Sequence, residues 1–591
     1  TDVAVLFEAT KPAVLESLLL GQVGMAAARE PSAKPQQGDI DGVHYQGVRS
    51  PDRRISSYVA RIDQAVVVTN SLYQLGRLAS VRNKQSAAIA SLPEYVFFRD
   101  RYRRADPEET AFLFLSDATI RRWCGPRWRI ASSRQARDMA VLSELTAANL
   151  DPLARRTVRP GPLQTDLATA DAGKLSLDAI GVRSSVQGSL EWMTPIAEIP
   201  LRKATWAETQ AYGDWRNGYQ RNWRWAFDPI ALRLTLDRHR LAADMTVMPL
   251  IWNSEYRFFV DLCQGVKFGP KAGDPHDAPF HTIMSIDPKS GLIGAAEHFL
   301  AGGADHVSLR WLGPSISFYV DDDPSWGELL AEAERERENP TKSGSMKSPP
   351  FAVRFDVAGG SGETALTTAR RLIQQHGGPT AKSDTLSYRG QSYLKLSWTS
   401  PHDHTEPIYC AVVGNALIVT PNENVLKRAI DRQQPAAGEA ASAKVAEKPW
   451  LGSNLALKIN RKAIDAIARL NRHDVQRAMQ ARSWSNLPIL NQWKRLYPDE
   501  DPVALHERIW KVRLVCPGGG RYIWNERWQT MESTVYGHPG EPKLGPPAPP
   551  IFQEFISGSF GVTFEHQGLR SRASLERAGM TTDTHQQSKH P

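Results

Sequence analysis

The sequence predicts an α+β protein made of two tandem copies of a mixed sheet-and-helix unit, and three repeated patterns lead to this prediction. The first pattern is a β-branched strand, a polar corner and the start of a helix, found at residues 65–78 (AVVVTNSLYQLGRL) and again at residues 416–429 (ALIVTPNENVLKRA). Such internal self-similarity indicates a repeat architecture. A single offset aligns five identical pairs: Ala65 with Ala416, Val68 with Val419, Thr69 with Thr420, Leu75 with Leu426 and Arg77 with Arg428.

The second pattern is the order of the elements that lead up to each corner. In the first half, a buried strand at 3–7 is followed by a helix at 11–23 with Pro12 near its start. Proline is favoured in the first turn of a helix, where its missing N–H is not needed. Residues 351–357 and 365–375 show the same strand and helix in the second half. The order of parts is therefore the same in both halves.

The third pattern follows the corners. A strand ends at Ser116 in the first half and at Asn460 in the second, and both residue types cap the N–H groups at the start of a helix. Each half then closes on an alternating strand, a polar turn and a return strand, at 234–241 and 562–569. The repeat therefore extends beyond the corner motif itself.

These patterns divide the chain into a first unit at 1–265, a connecting segment at 266–350, a second unit at 351–580 and a tail at 581–591. The tail contains almost no apolar residue, so we expect it to be disordered. The connecting segment is predicted to contain a strand, two helices and a hairpin that turns at Gly313-Pro314. It either links the two units or begins the second one, in which case its counterpart in the first unit would precede Thr1.

The composition is that of an ordinary globular protein. Of the 591 residues, 41% are hydrophobic and 23% are charged, and 72 basic residues against 64 acidic ones give a net charge of +8. This mild basic excess permits a nucleic acid or an anionic lipid as a partner but favours neither. No apolar run approaches the roughly 20 residues that a membrane helix needs.

The chain begins at Thr1 and not at Met, so we expect a processed form or a fragment, from which an upstream signal or anchor could have been lost. Cysteines are few. Cys124, Cys263, Cys410 and Cys516 are too scattered for a disulfide framework or a paired metal site, and the sequence leaves the state of their thiols open.

One predicted helix combines aromatic and arginine side chains. Its aromatic residues recur at helical spacing, and arginines lie between them: Tyr212, Trp215, Tyr219 and Trp223 with Arg216, Arg221 and Arg224. Such a face can stack on bases or sugars, but it is more often a packing face with arginines along its rim. The candidate ligand-binding residues are Trp215, Arg216, Tyr219, Trp223 and Arg224. A second basic cluster at 121–129 (RRWCGPRWR) has the same ambiguity and suits an anionic surface or an acidic partner.

Cys516 opens the most distinctive local pattern, CPGGGRY, which is followed by YGHPG at 536–540. It lacks the Gly-Lys-Ser/Thr ending of a phosphate loop, so a turn that needs glycine geometry is the simplest interpretation. A metal pair of Cys516 with His538 is a lesser alternative. The pattern resembles a Cys-Pro-x-Gly-Gly-x-Tyr hairpin of several bacterial extracytoplasmic and pilin-like proteins, in which a later Cys-Ser-x-His-Gly supplies a second thiol. Here Ser533 and Thr534 occupy the place of that thiol.

No catalytic motif stands out. The chain has no complete Gly-x-Ser-x-Gly, no His-Glu-x-x-His and no Gly-x-Gly-x-x-Gly that opens a helix after a strand. His402 and His404 are predicted to lie in a solvated loop, because they fall between Pro401 and Pro407 in the extra length of the second hairpin. Two ligands on a turn do not make a metal site. We predict no metal and no cofactor. The enzyme alternative is a hydrolase that uses His281, His298 or His306 with nearby acids.

The repeated strand-corner-helix motif resembles a family of large bacterial proteins of unknown function, often exported or membrane-anchored, that repeat a segment of this kind. The resemblance implies an extracytoplasmic location, in the periplasm or the cell envelope. We therefore expect a non-enzymatic scaffold or binding protein that presents the cleft between its two units to a protein or polymer partner. The hydrolase is one alternative. The other is binding of a nucleic acid or anionic polymer, which predicts a continuous basic stripe joining 121–129 to 216–224.

Overall fold

The computed structural model describes most of the chain. The described residues are 2–30, 32–166, 172–223, 229–248, 257–263, 265–270, 272–300, 308–338, 349–377, 381–399, 405–434, 449–546, 554–565 and 568–578. The helices are α1 (Pro12–Ala28), α2 (Leu72–Arg82), α3 (Pro93–Arg101), α4 (Asp117–Cys124), α5 (Pro126–Ala148), α6 (Leu150–Ala154), α7 (Trp206–Trp223), α8 (Arg257–Cys263), α9 (Gly291–Leu300), α10 (Ser325–Glu338), α11 (Gly362–Gly377), α12 (Glu423–Gln433), α13 (Arg461–Trp484), α14 (Leu487–Leu496) and α15 (Pro502–Trp510).

The strands lie before, between and after these helices, singly or in groups. They are β1 (Ala4–Glu8), β2 (Lys34–Ile40), β3 (Val43–Arg49), β4 (Ser56–Ile62), β5 (Ala65–Thr69), β6 (Ala111–Leu115), β7 (Gly161–Leu163), β8 (Leu175–Asp178), β9 (Gly181–Ser184), β10 (Gly188–Ser189), β11 (Ile230–Leu236), β12 (Arg240–Val247), β13 (Phe280–Ser285), β14 (Leu312–Val320), β15 (Phe351–Val357), β16 (Lys382–Tyr388), β17 (Gln391–Thr399), β18 (Thr405–Val413), β19 (Ala416–Thr420), β20 (Leu455–Asn460), β21 (Tyr522–Asn525), β22 (Thr530–Ser533), β23 (Gly537–His538), β24 (Glu541–Pro542), β25 (Phe555–Glu565) and β26 (Gly568–Arg577).

The predicted α+β class is confirmed, since antiparallel sheets and helices share the chain. Contacts group the residues into two compact units. Unit 1 comprises Thr1–Phe97, Ser116–Arg224 and Gln476–Pro546, and unit 2 comprises Phe98–Leu115, Trp225–Val475 and Pro547–Pro591. These units are defined by contacts and the predicted copies by sequence pattern, so the division at 1–265, 266–350 and 351–580 stays a prediction.

The first sheet of unit 1 holds five antiparallel strands in the order β1-β5-β4-β3-β2. The strand predicted at 3–7 is present as β1, but the prediction that it is buried is wrong, because β1 is the last strand of the sheet and its side chains are largely exposed. Strand β5 (AVVVT) is rich in valine, whose branched side chain suits a pleated, buried surface. Leu75 and Ala79 lie one turn apart on α2 and are buried with Val43 and Val67 of the sheet. The apolar side of α2 therefore covers one face of the sheet.

Thr69 fixes the polar corner between β5 and α2. Its hydroxyl donates a hydrogen bond to the Val3 carbonyl at 2.7 Å and accepts one from the Ser71 N–H at 3.1 Å. The first bond ties the corner to the start of β1, and the second shapes the entry into α2. A buried threonine thus satisfies two backbone groups that the turn would otherwise leave unpaired.

A second core of unit 1 lies among helices. Leu142 of α5, Leu153 of α6, Trp493 of α14 and Leu505 of α15 are buried in it. Arg508 of α15 donates to the last carbonyls of α6, which have no partner within their own helix. Two small four-stranded sheets complete the unit, in the orders β10-β9-β8-β7 and β21-β22-β23-β24.

Unit 2 is organised around one sheet of 13 strands, in the order β16-β17-β18-β19-β15-β14-β13-β20-β25-β26-β12-β11-β6. The pairing of β12 with β26 joins two hairpins that are far apart in sequence. Asp244 of β12 accepts two hydrogen bonds from Arg570 of β26, at 2.9 and 2.6 Å, and a third from the Tyr102 hydroxyl at 3.0 Å. This bidentate ion pair locks the junction between the hairpins.

Within this sheet, the strands β15 to β19 repeat the order of the first sheet of unit 1. The order is β15-β19-β18-β17-β16, against β1-β5-β4-β3-β2. The corner is also the same, because the Thr420 hydroxyl donates to the Phe351 carbonyl at 2.6 Å and accepts from the Asn422 N–H at 3.1 Å. Val3 and Phe351 therefore occupy corresponding positions.

The two predicted helix caps, Ser116 and Asn460, also have similar geometry. Ser116 accepts the Thr119 N–H at the start of α4, and Asn460 accepts the Lys462 N–H at the start of α13. Each follows a strand that pairs with the first strand of a hairpin, β6 with β11 and β20 with β25. A common strand order does not by itself establish a duplication, so the tandem duplication stays a prediction.

The predicted hairpin turn at Gly313-Pro314 is wrong. Both residues lie inside β14, which pairs with β13 on one side and β15 on the other. The β14–β15 register shifts between Leu312 and Ile316, and such an irregular stretch tolerates a proline that cannot donate to the ladder. A Cβ at position 313 would lie 2.8 Å from the Cβ of Asp356, so glycine permits close strand packing there and not a turn.

Candidate ligand-binding groove

Helices α5 and α7 of unit 1 enclose a groove of about 400 Å³, here named the α5/α7 groove. Its polar and aromatic lining consists of Arg129, Ser133, Arg137, Glu208, Tyr212 and Trp215. Arg129, Ser133 and Arg137 come from α5, and the other three come from α7. The groove is therefore a place where side chains from two predicted clusters meet.

The start of α7 is set by a capping box. The Thr205 N–H donates to Glu208 Oε2 at 2.9 Å, and the Glu208 N–H donates to Thr205 Oγ1 at 3.2 Å. From this start, Glu208, Tyr212 and Trp215 follow at spacings of four and three, which places them on one side of the helix. The local sequence thus aims the three side chains into the groove.

Glu208 is held by two arginines of α5. Arg134 binds both carboxylate oxygens, with Nε at 2.8 Å and an Nη at 2.7 Å, and Arg137 donates to Oε1 at 2.9 Å. The Arg134 guanidinium holds the pKa of the Glu208 carboxyl well below its ordinary value of 4.5. Glu208 is therefore a fixed anion that aligns the two helices, and it is not a proton donor near neutral pH.

The aromatic wall of the groove is positioned by a hydrogen bond and a cation. The Tyr212 hydroxyl donates to the Cys124 carbonyl at 3.1 Å, and the Tyr212 and Trp215 ring centroids are 5.9 Å apart. The Arg129 guanidinium lies 4.2 Å from the centroid of the Trp215 ring, a distance typical of a cation–π contact. An aromatic surface with arginines at its rim can hold a planar or sugar-like group that carries negative charge.

The structure brings only part of the predicted ligand-binding set into this groove. Trp215 lines it, whereas Arg216 is exposed on α7 and does not. Tyr219 and Trp223 belong to α7, but their side chains lie outside the described residues, as does Arg224 altogether.

Sequence reasoning missed Arg137 and Glu208 as groove residues and treated Arg129 as part of a separate cluster. The capping pattern Thr-x-x-Glu at 205–208 was a readable signal for Glu208. No signal in the sequence shows that α5 and α7 are neighbours.

The other arginines of the 121–129 cluster are engaged elsewhere. Arg121 pairs with Asp117 at 2.6 Å, Arg122 lies 5.6 Å from the centroids of two aromatic rings, and Arg127 donates to the Ala197 carbonyl at 3.1 Å. The side chains of 219–224 lie outside the described residues, so the predicted continuous basic stripe is not traced.

The histidines of the hydrolase alternative lie in different settings. His281 on β13 is 1% exposed, and its ring faces those of Trp450 at 5.0 Å, His276 at 5.3 Å and Tyr319 at 5.5 Å. Burial lowers the pKa of both His276 and His281. His298 is exposed on α9, and His306 lies outside the described residues. Packing inside an aromatic cluster closes His281 to a substrate, so the structure gives no support to this alternative.

Glu532, His538 and Glu541 occupy neighbouring positions on β22, β23 and β24, with one ligand atom from each within 4.8 Å of the others. His538 Nδ1 accepts the Gly540 N–H at 3.1 Å, so the neutral ring carries its proton on Nε2. A metal ligand must be an unprotonated nitrogen, so Nε2, which is buried without a hydrogen-bond partner among the described residues, could bind a metal only if Nδ1 gave up its bond from the Gly540 N–H. Lys543 and Arg527 also lie within 4.0 Å of the two carboxylates. The cluster does not fit a metal site.

Cys516 is buried, and its sulfur lies 3.2 Å from Ser533 Oγ and 3.6 Å from Ser483 Oγ. Burial opposes ionisation of the thiol, but hydrogen bonds from Ser533, Ser483 and two backbone N–H groups lower its pKa. Cys124, Cys263 and Cys410 are also free thiols. Ser533 therefore stands beside Cys516, where the resemblance implies a second thiol in related hairpins.

We take the α5/α7 groove as the candidate site because it joins the predicted aromatic helix to an arginine of the 121–129 cluster. Within the described ranges, no helix is long and apolar enough to cross a membrane. In comparisons with known proteins, no protein-family model, no curated protein and no solved structure matches this chain.

Proposed function

We propose that this protein is a non-enzymatic binding protein of the cell envelope that holds a protein or polymer partner in the α5/α7 groove. One observation carries the proposal: Arg129 stacks on Trp215 at 4.2 Å at the wall of an open groove. The resemblance of the repeated motif to exported bacterial proteins supports the location.

The charges of the groove favour an acidic partner. Arg129 and Arg137 are exposed at its wall, while the carboxylate of Glu208 is already neutralised by Arg134 and Arg137. A carboxylate or phosphate on the partner could reach these guanidinium groups while a sugar or peptide plane covers Trp215. Binding would then weaken with salt, because exposed charge pairs are screened.

The test is a titration of the full chain, followed by tryptophan fluorescence and calorimetry, with polyglutamate, dextran sulfate and neutral dextran as probes. We expect the two acidic polymers to bind and neutral dextran to bind much more weakly. Trp215→Ala should reduce the affinity about tenfold or more, since loss of an aromatic contact at a binding hot spot costs about 1–3 kcal/mol.

Trp206→Ala is the matched control. Trp206 lies at the start of the same helix and is 77% exposed, but it does not line the groove. Equal losses in Trp206→Ala and Trp215→Ala would show that binding does not depend on the groove. If no acidic polymer binds at low salt, the proposal is wrong.

A further inference from the structure

The outer edge of β1 in unit 1 is open. In the described part of the sheet, β1 is the last strand and has only β5 as a neighbour. The corresponding strand of unit 2, β15, has β19 on one side and β14 on the other. The two sheets share their strand order and their corner. They differ at this edge, which is open in unit 1 and paired with β14 in unit 2.

The register shows which backbone groups face outward. The Ala9 N–H donates to the Gln64 carbonyl and the Val3 carbonyl accepts the Asn70 N–H, so residues 3 and 9 face β5, and antiparallel pairing alternates from one residue to the next. The amides of Ala4, Leu6 and Glu8 therefore point to the open edge. Their counterparts in β15, Ala352 and Arg354, lie opposite Tyr319 and Ser317 of β14.

The open edge is apolar. Leu6 is 51% exposed and Phe7 is 41% exposed, whereas the corresponding residues of β15 are buried or half-buried. Edge strands usually carry charges, prolines or bulges that block pairing with another chain. The sequence of β1, AVLFE, has a charge only at its last residue.

The neighbouring helix is equally uncovered. Leu18 of α1 is 64% exposed, and Val14 and Met25 are exposed on the same helix. Its counterpart in α11, Leu366, is partly buried against a core that includes Leu292 of α9 and Trp311. In unit 2, the helix that precedes β14 thus contributes to the core that covers this position.

Within the described part of the chain, Arg77 of α2 lacks the ion pairs that its counterpart in unit 2 makes. Arg428, which matches Arg77 in the repeated motif, pairs with Asp321 at 3.1 Å and Asp323 at 2.7 Å, directly after β14. Arg77 is exposed on α2 and has no ion pair or hydrogen bond among the described residues. An acidic residue at the end of an added strand would be complementary to it.

We propose that β1, α1 and Arg77 form a docking site for a helix–strand segment of a partner polypeptide. The partner's strand adds antiparallel to β1, its apolar helix covers Phe7 and Leu18, and an acidic residue after the strand pairs with Arg77. Strand addition of this kind gains affinity from main-chain hydrogen bonds and specificity from side-chain pockets. The site does not use the α5/α7 groove and does not depend on the proposed function.

The probe is the sequence of residues 291–323 of this chain, which contains an apolar helix, a strand and the acidic end. It is fused ahead of Thr1 in the full chain through a flexible Gly/Ser linker as long as 324–350, because tethering raises its effective concentration. Hydrogen–deuterium exchange is then measured residue by residue. We expect exchange at Ala4, Leu6 and Glu8 to slow about tenfold or more relative to the unfused chain.

The amides of Val5 and Phe7 already pair with β5, so their exchange should change little and shows that the sheet is intact. Arg77→Gln in the fused protein should reverse part of the slowing, whereas Arg82→Gln on the same helix should not. Unchanged exchange at Ala4, Leu6 and Glu8 would overturn the proposal. Protection that grows with the concentration of the unfused chain would assign the edge to a second copy and would also overturn it.

Discussion

A single residue, Ser533, stands beside the Cys516 sulfur in the place where a second cysteine would permit a disulfide. The Cys516 sulfur and Ser533 Oγ are 3.2 Å apart, so two thiols at these positions would already be close. We expect Ser533→Cys to form a disulfide under oxidising conditions, provided the Cβ atoms meet the usual geometry. A bridge across a loop of this length stabilises by about 3 kcal/mol. Mass spectrometry would show the loss of two hydrogens, and urea unfolding would show a higher midpoint.

Thr534→Cys is the control, because the hydroxyl of this adjacent residue is engaged with the Arg521 N–H at 3.0 Å. Its thiol should stay reduced. A Ser533→Cys variant that also stays reduced would contradict the expectation.

Glu208 gives a prediction about acid stability. Its pKa in the folded protein lies below the ordinary 4.5, so its stabilisation is present above that pH and is lost as pH falls towards the folded value. We expect Glu208→Gln to lower the free energy of unfolding at pH 7 by about 1–3 kcal/mol and to flatten its decline below pH 4.5. Urea unfolding at several pH values measures both.

Asp151→Asn removes an exposed ion pair with Arg155 and serves as the comparison. It should change the free energy of unfolding by less than about 0.5 kcal/mol. Equal pH slopes for the wild-type protein and Glu208→Gln would show that Glu208 does not act in this way.

For single residues, the helical spacing in the sequence predicted in part which aromatic side chains line the groove, but it did not show which charged side chains do. Trp215 was predictable because it belongs to a helical stripe. Glu208 and Arg137 were not, since one carboxylate among 64 acidic residues becomes special only when Arg134 lies beside it. Side-chain pairing between helices is set by tertiary packing.

Among the elements, the junction of β12 and β26 combines backbone pairing with one buried ion pair, between Asp244 and Arg570. Removing Asp244 takes away the carboxylate that binds the Arg570 guanidinium, and it leaves the Tyr102 hydroxyl with Thr246 Oγ1 as its remaining partner. We expect Asp244→Ala to lower the free energy of unfolding by about 3 kcal/mol, as breaking a buried ion pair usually does. Urea unfolding followed by circular dichroism measures the loss.

The control is Asp465→Ala, which breaks an exposed ion pair with Arg461 at 2.9 Å on α13. This change should cost about 0.5 kcal/mol or less. If the two variants lose the same stability, burial of Asp244 is not what makes its pair important.

The elements themselves were largely predictable. The predicted helix at 365–375 lies within α11, and the caps Ser116 and Asn460 lie where the sequence places them. The failure at Gly313-Pro314 has a physical reason: glycine and proline usually mark turns, but the residues on either side of them, Leu312 and Ser315, pair with β15 and β13 and keep the segment extended. Tertiary pairing overrides local preference in such cases.

For unit 2 as a whole, the buried imidazoles of His276 and His281 predict a decline in stability with mild acid. Both pKa values lie below the ordinary 6.5, so the unfolded chain takes up protons that the folded unit does not. The free energy of unfolding should therefore be unaffected by protonation of these two histidines above pH 6.5. Below that pH it should fall by up to about 1.4 kcal/mol per pH unit for each histidine. Urea unfolding at pH 8 and pH 5.5 measures this.

His298→Gln should leave that decline unchanged, because His298 is exposed. His281→Gln should reduce it, even though it also lowers stability at pH 8. A wild-type protein with the same unfolding free energy at both pH values would contradict the prediction.

The whole molecule was the least predictable scale. The recurrence of Thr69 at Thr420 predicted two similar sheets, and their strand orders agree. That one of them would extend to 13 strands was not predictable, because the pairing of β12 with β26 joins segments that no local pattern connects. Non-local strand pairing leaves only a weak trace in a single sequence.

The pairing of β12 with β26 also limits how early this part of the sheet can form while the chain is being synthesised. Strand β12 ends at Val247, but its partner β26 begins only at Gly568. At about 5–20 residues per second, a ribosome needs roughly 15–60 s to make the chain between them. During this interval β12 offers an open edge to other nascent chains, and a holding chaperone or slow synthesis at low temperature would protect it. The finished protein no longer carries this liability.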